Sequence, residues 1–224
     1  MSKGLIVLVV LVVIVLALFG QYVSVKNNLV AKDQAVKAAW SQVDIVLQRR
    51  ADLIPNLVNT VQGAANFEKS TLTEVTNARA SVGRVQLDPN KAPTDAKQLE
   101  EFQKAQGQLS NALSRLLVVS ENYPQLRATQ GFQNLQAQLE GTENRISVER
   151  NNFNSAVQQY NTALSTFPTN MLNKMFGFQP RPFFTAQAGA EKAPPVQFNF
   201  GPAPTPAGNL NQGPAPTPAT ATSP

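Results

Sequence analysis

The sequence predicts an all-α protein with an N-terminal transmembrane helix, an antiparallel three- to four-helix bundle and a disordered Pro-rich C-terminal tail. Three observations predict this class: one long apolar run near the N-terminus, apolar residues recurring every three or four positions through the middle, and a Pro/Ala/Thr-rich end. The boundaries that we predict are 1–25 for the anchor, 26–184 for the bundle and 185–224 for the tail.

The anchor is predicted from residues 5–19, which are uninterrupted apolar. Together with the residues through Val25 they make a span of about 20 residues, enough to cross the hydrocarbon core of a bilayer. A cleaved signal peptide is the alternative, but it has a shorter apolar region and a small-x-small cleavage site. Neither Ala17 nor Gly20 stands in such a site, so we predict an uncleaved, single-pass anchor.

Lysines flank the anchor on both sides. Lys3 precedes it, whereas Lys26, Lys32 and Lys37 follow it. Counting Lys and Arg alone favours a cytoplasmic bundle, but the low charge content (15%) and the tail typical of cell-envelope spacers favour the outer face. The side therefore stays open, with a slight preference for the extracytoplasmic one. The three lysines after the anchor are also candidates for contact with anionic lipid, the alternative being plain solvation.

Apolar residues that recur along one face of a helix form what we call a seam. The first seam begins at Val36 and alternates steps of four and three residues. It keeps its register across Pro55 and resumes after Glu68, and it closes near Gly83. A proline inside a helix removes a donor and kinks or ends the helix, so the kept register favours a kink. The alternative is a hairpin of two helices, 27–53 and 56–83. One long kinked rod would need other subunits to cover its membrane-proximal stripe.

Two more seams predict helices over 95–121 and 129–166, ended by Pro124 and Pro168. Three polar residues interrupt the seams: Arg50, Gln106 and Glu149. A buried ionised group needs a partner, so one hypothesis is that Arg50 pairs with Glu149 and Gln106 completes a polar layer that fixes register. The alternative is that each side chain reaches water from near a helix end.

The chain has no Cys and no His. This excludes disulfides, thiol nucleophiles, His-containing triads and the common zinc sites. The remaining carboxylates fit the solvated faces of amphipathic helices, and Arg49–Arg50 is the single basic doublet. We therefore predict no enzyme, no catalytic residue, no cofactor, no metal, no nucleic acid and no small-molecule substrate.

The C-terminal part contains two features. Residues 168–184 are rich in Met and Phe, which cap the bundle end or contact membrane or a partner. The sequence GPAPTPA then occurs twice, at 201–207 and 213–219, and favours extended polyproline II structure. A spacer is the favoured interpretation of the repeats, and a docking tail is the alternative.

Two blocks of the chain, Ala39–Arg79 with RRADLIPNLV and Glu121–Asn161 with LEGTENRI, resemble the LemA family of bacterial membrane-anchored helical proteins. The likeness covers roughly residues 22–184. It implies a helical bundle behind one transmembrane helix, and magnetosome-forming relatives of the family point to membrane organelle assembly. The sequence departs from the family at Lys26, where a Tyr is usual, and at 63–68, where GAANFE lacks the family's frequent aromatic and His.

These observations together predict a non-enzymatic, single-pass membrane scaffold that self-associates or binds partners at the membrane surface. The resemblance implies the inner (plasma) membrane of a bacterium, and envelope or membrane organisation as the setting. The predicted partners are the lipid bilayer and either further copies of the chain or another membrane protein. The alternative is an accessory regulator of another membrane complex, such as a protease, a transporter or a signalling complex.

Overall fold

The computed structural model describes residues 2–64, 67–85, 87–89 and 91–185. Every regular element in these ranges is a helix, which confirms the all-α prediction. The helices are α1 Lys3–Gln62, α2 Lys69–Arg84, α3 Ala96–Ser120, α4 Pro124–Arg127, α5 Gln130–Ser165 and α6 Thr169–Phe176. The predicted tail, apart from Thr185, and its GPAPTPA repeats lie outside the described residues.

Helix α1 contains both the predicted anchor and the first rod of the bundle. It has 60 residues, which corresponds to about 90 Å at 1.5 Å per residue. Its N-terminal part is apolar and exposed, and among the described residues α1 is the one helix long and apolar enough to cross a membrane. No break marks the predicted boundary at residue 25, so the helix leaves the apolar run directly as a bundle helix.

The first seam ends earlier than the sequence predicts. Helix α1 continues through Pro55, so the hairpin alternative at that proline is wrong, but the expected continuation to Gly83 is also wrong because α1 ends at Gln62. After α1 the chain folds back as α2, and Leu72 and Val75 pack with Leu57 of α1 in one cluster. The seam kept its spacing across the turn because both helices present their apolar residues to one core.

The other helix ends match the sequence closely. Asp95 caps α3, and its side chain accepts a hydrogen bond from the Lys97 amide at 2.8 Å. Thr129 caps α5 and accepts from the Phe132 amide at 3.4 Å. Pro124 stands at the first position of the short α4, where a missing amide hydrogen costs nothing. Helices α3 and α5 therefore lie within a residue of their predicted bounds.

The core divides into a membrane-distal and a membrane-proximal cluster. The distal cluster is a four-helix core, in which α1, α2, α3 and the first half of α5 meet around Leu57, Leu116 and Phe132. Helix α2 has only 16 residues, about 24 Å, and does not extend along the whole bundle. In the proximal cluster Val85, Leu87 and Ala92, together with the start of α3 and the segment after α6, cover the α1–α5 pair instead.

Candidate functional site: the membrane-facing end of the bundle

Trp40 is the centre of the proximal cluster. It is fully buried, and its indole nitrogen donates to the Asp88 carbonyl at 3.0 Å. Its ring meets those of Phe102 and Phe153 edge-on, each at 5.8 Å between centroids, and stacks on Phe184 at 6.1 Å. One aromatic residue of α1 thus joins α3, α5 and the C-terminal segment, and such ring pairs stabilise beyond their buried area.

Residues 177–185, which we call the strap, run back along α5 without regular secondary structure. The side-chain amide of Asn161 donates to the Arg181 carbonyl and accepts from the Arg181 amide, both at 2.9 Å. Asn154 forms the same pair of bonds with Phe184, at 2.9 and 2.8 Å. Seven helical residues rise about 10.5 Å, close to the length of three extended residues. The spacing of the two asparagines along α5 therefore matches the spacing of Arg181 and Phe184 along the strap.

Three further side chains hold the strap. Asn173 of α6 binds the backbone of Phe178 through both its amide atoms, at 3.0 and 3.2 Å. The Tyr160 hydroxyl donates to the Gln179 carbonyl at 3.0 Å. Gln103 of α3 accepts from the Thr185 amide at 3.0 Å. Side-chain amides and hydroxyls thereby satisfy backbone groups that pair within helices elsewhere in the bundle.

The strap places Arg181 against a buried carboxylate on α1. The guanidinium donates to Asp33 Oδ1 at 2.8 Å and to the Ala92 carbonyl at 2.9 Å. Lys37 binds the other carboxylate oxygen of Asp33 at 2.8 Å. Burial alone would raise the pKa of Asp33, but the hydrogen bonds and charges of Lys37 and Arg181 outweigh it and hold that pKa below its usual value. Burial and the charge of Asp33 raise the pKa of Tyr160, which lies beside them.

Higher in the bundle, Arg50 forms a polar layer across three helices. Its guanidinium donates to Glu143 of α5 at 2.8 Å and to Ser110 of α3 at 2.9 Å, and it also binds Gln106 of α3. Ser110 in turn donates to Glu143 at 3.2 Å. Arg50 is 2% exposed, so these bonds replace water around a buried charge.

The structure brings two of the three predicted layer residues together and places the third elsewhere. Arg50 contacts Gln106, but its carboxylate is Glu143 and not Glu149. Glu149 binds within α5, to Arg145 at 3.3 Å and to Asn152 at 2.9 Å. The predicted pairing of Arg50 with Glu149 is therefore corrected. A register-fixing role for the layer stays a prediction.

Helix register explains the correction. Trp40 of α1 faces Phe153 of α5, and the two helices are antiparallel. Ten residues further along α1 and ten residues back along α5, Arg50 therefore faces Glu143. Glu149 lies about 9 Å further along α5. The spacing of apolar residues within each helix does not show how α1 and α5 align with each other.

The three lysines predicted to contact lipid lie at different heights on α1. Lys26 is exposed and lies one turn after Tyr22, Lys32 is half-buried, and Lys37 is paired with Asp33. Lys37 lies about 16 Å along the helix from Lys26. Lys26 is thus the one nearest the apolar run, and lipid contact by any of the three stays a prediction.

Sequence reasoning missed Asp33, Arg181 and the two asparagines. A signal for the asparagines is present: Asn154 and Asn161 each follow an aromatic seam residue, one heptad apart. Arg181 stands between two prolines, which favour extended backbone. Among the described residues, no group of three acids lies together as a metal site would require.

The comparisons with known proteins agree with this architecture. The model of the LemA family matches residues 39–198. Magnetosome protein MamQ 2 of Paramagnetospirillum magneticum is 25% identical over 196 residues, covering 79% of this chain and 71% of that protein. Magnetosome protein MamQ of Magnetospirillum gryphiswaldense is 24% identical over 177 residues, covering 70% of this chain and 64% of that protein.

Protein LemA of Metamycoplasma hominis is 24% identical over 149 residues, covering 66% of this chain and 64% of that protein. None of these names is that of an enzyme. The apolar helix and these relatives agree on a membrane-associated helical protein. The family model covers more than two thirds of the sequence, and the chain belongs to the LemA family.

Proposed function

We propose that this chain is a non-enzymatic scaffold that stands on a membrane and self-associates or binds partners there. The observation that carries the proposal is the unbroken helix α1, which continues from the exposed apolar run into the buried core. Its first fully buried residue, Leu29, follows the apolar run within one turn of Val25. The bundle is therefore held directly at the bilayer surface and not at the end of a flexible linker.

An unbroken helix also fixes the direction of the bundle. A loop between anchor and domain would let the domain rotate freely, whereas a helix transmits the orientation of its membrane part to the rods packed on it. The pairing of α1 with most of α5 extends this stiffness through the bundle. Such a body presents the same lateral surface to every neighbour in the membrane, which suits a scaffold.

Among the described residues, the ionisable groups with shifted pKa values have structural contacts that explain those shifts. Burial and the charge of Asp33 raise the pKa of Tyr160, whereas the hydrogen bonds and charges of Lys37 and Arg181 outweigh burial and lower the pKa of Asp33. Burial and the nearby Arg50 lower the pKa of Arg150, whose guanidinium lies 4.6 Å from the centre of the Phe184 ring. These groups hold elements together and do not converge on one cavity. The relatives named as magnetosome proteins favour membrane organisation as the setting.

One observation favours the second candidate, an accessory regulator of another membrane complex. The distal end of the bundle has a cavity of about 610 Å³ between the turn after α1 and the turn before α5. Its lining includes Gly63, Tyr123 and Leu126. A cavity of this size accepts a partner's side chains or a short segment, and it lies at the end furthest from the anchor.

Single cysteines test the scaffold, because the chain has none of its own. We suggest Ile45→Cys, Val118→Cys and Val148→Cys, which replace exposed apolar residues on α1, α3 and α5. In native membranes, oxidative crosslinking of a scaffold gives homodimers at a subset of these positions. The matched control is the same variant diluted in detergent, where chance encounters are rare.

The outcomes separate the candidates. Dimers that depend on position and survive at low expression support self-association. One stoichiometric partner in place of the dimer supports the accessory regulator. Absence of both, with the full-length protein running as a monomer in mild detergent, contradicts the scaffold proposal.

A further inference from the structure

We infer that α6 is a membrane-surface helix whose outer face, formed by Met171 and Met175, inserts together with the preceding Phe167 into the interfacial layer of the bilayer that α1 crosses. This surface does not depend on whether the bundle is a scaffold. It depends on where α6 lies relative to the anchor, on the chemistry of its outer face and on the charges around it.

Contacts place α6 at the height of the end of the anchor. The ring of Phe176 lies 5.0 Å from that of Tyr22 on α1. Tyr22 follows the apolar residues 5–19 by three positions. If about 20 residues cross the hydrocarbon core from Leu5, Tyr22 stands at its boundary, where aromatic side chains are enriched. Helix α6 is therefore beside the membrane–water interface.

The path of the chain independently places α6 at the same position along α1. By the register that pairs Trp40 with Phe153, α5 ends opposite Asn28 of α1. The strap returns away from this end, because Arg181 binds Asn161 and Phe184 binds Asn154. Helix α6 connects the two and is thus the part of the described bundle closest to the bilayer.

The outer face of α6 is apolar and uncovered. Met171 and Met175 of α6 are 66% and 74% exposed, and their spacing of four places them along one side of the helix. Phe167, just before the helix, is 78% exposed. The adjacent side, with Leu172 and Phe176, is half-buried, and Phe176 packs against the proximal cluster. Large exposed apolar groups in a row are uncommon on a surface that faces only water.

The charges around α6 fit a lipid surface better than a protein groove. Lys174 flanks the apolar row, and its stem can extend along the interface while its ammonium group reaches the headgroups. The sequence has no acidic residue before Asp33 and none from Arg150 to Ala190. Both segments that approach the bilayer are thus free of charges that anionic headgroups would repel.

The experiment uses full-length protein in vesicles of mixed phosphatidylcholine and phosphatidylglycerol. Met171→Cys and Met175→Cys, each labelled with a small environment-sensitive fluorophore, report on the outer face. The matched control is Val118→Cys, an exposed apolar position (64%) near the membrane-distal end of α3. Far-UV circular dichroism verifies that each labelled variant keeps its helix content, as expected for exposed positions.

Two quenchers are then compared, iodide on both sides of the membrane and a lipid with a spin label near its headgroup. We expect labels at 171 and 175 to be quenched by the spin-labelled lipid and to be several-fold less sensitive to iodide than the label at 118. Equal iodide sensitivity at all three positions would show a solvated face and overturn the inference. Protection from both quenchers would show that protein covers the face, which also overturns it.

Discussion

Arg50, which is buried, and Arg181, which is nearly so, each reach a carboxylate on another element, but they join different kinds of structure. Arg50 joins three helices that already pack through the distal core. Arg181 fastens the strap, a non-helical segment, to α1 and to residue 92. Loss of the Arg50 side chain leaves a cavity inside a closed bundle. Loss of the Arg181 side chain frees a segment that covers Trp40.

The electrostatic environments also differ. At the Arg50 layer the cation is buried, and its carboxylate, on Glu143, is half in water. At the strap both the Asp33 and the Arg181 side chains are nearly buried, and Lys37 supplies a second cation. A buried charge stripped of its partner is costly, whereas a carboxylate with two cations keeps one when the other is removed.

Removal of the Arg50 side chain should have the largest effect. Arg50→Ala leaves a cavity and strands Gln106 without its partner in the core, so we expect a loss of about 3–5 kcal/mol in the free energy of unfolding. Arg50→Met, which fills the volume with apolar atoms, should lose much less. Thermal and denaturant unfolding of the full-length protein in detergent measures both. Equal losses for the two variants would contradict the importance of packing at this layer.

Arg181→Ala should lower the free energy of unfolding less than Arg50→Ala does, and its effect should be local. Asp33 keeps Lys37, so the expected loss is about 1.5–3 kcal/mol, that of hydrogen bonds to a charged group. Hydrogen exchange should increase most at residues 177–185 and around Trp40. Arg145→Ala, which breaks a surface pair within α5, is the control and should leave the strap protected. An unchanged exchange rate in the strap would show that Arg181 does not fasten it.

The fold was more predictable than the strap for a physical reason. The apolar residues that recur from Phe132 to Leu164 show which face of α5 is buried, so the existence and the ends of that helix follow from local pattern. The turn after Gln62 and the pairing of Arg50 with Glu143 depend on how helices align with each other. Asp33 and Arg181 are 148 positions apart, and no local pattern in either sequence segment points to the other.

The paired asparagines give a prediction of intermediate size. Asn161→Ala removes two hydrogen bonds to the Arg181 backbone and leaves those groups half-buried, which costs about 1–2 kcal/mol. Asn154→Ala should behave alike, and the double variant should lose less than the sum because both act on one strap. Limited proteolysis within 177–185 and unfolding of the full-length protein measure this. Strict additivity would show that the two sites hold the strap independently.

Acid should weaken the strap through Asp33. Because the folded-state pKa of Asp33 lies below the usual 3.8, its contribution is complete above that pH and is lost as the pH falls through the lowered value. Asp33→Asn should therefore be less stable than the parent near neutral pH, and the difference should shrink in acid.

Asp44 on the same helix supplies a control of opposite sign. Burial raises the pKa of Asp44, so its charged form costs stability at neutral pH and protonation relieves that cost. Asp44→Asn should be at least as stable as the parent at neutral pH, with an advantage that fades in acid. Unfolding curves across pH in detergent compare the two variants. Parallel pH profiles for both would contradict the assignment of Asp33 as the paired carboxylate.

The smallest expected effect is that of removing Lys37, the second of the two cations that bind Asp33. Lys37 is a partly exposed i, i+4 partner, and such pairs contribute about 0.3–0.5 kcal/mol. Lys37→Ala should therefore change unfolding only slightly, and added salt should erase the difference. Combined with Arg181→Ala, however, the same substitution leaves the Asp33 carboxylate buried without a cation, so the loss should exceed the sum of the single losses. A double-mutant cycle in full-length protein measures this coupling, and a coupling energy of zero would show that the two cations act on Asp33 independently.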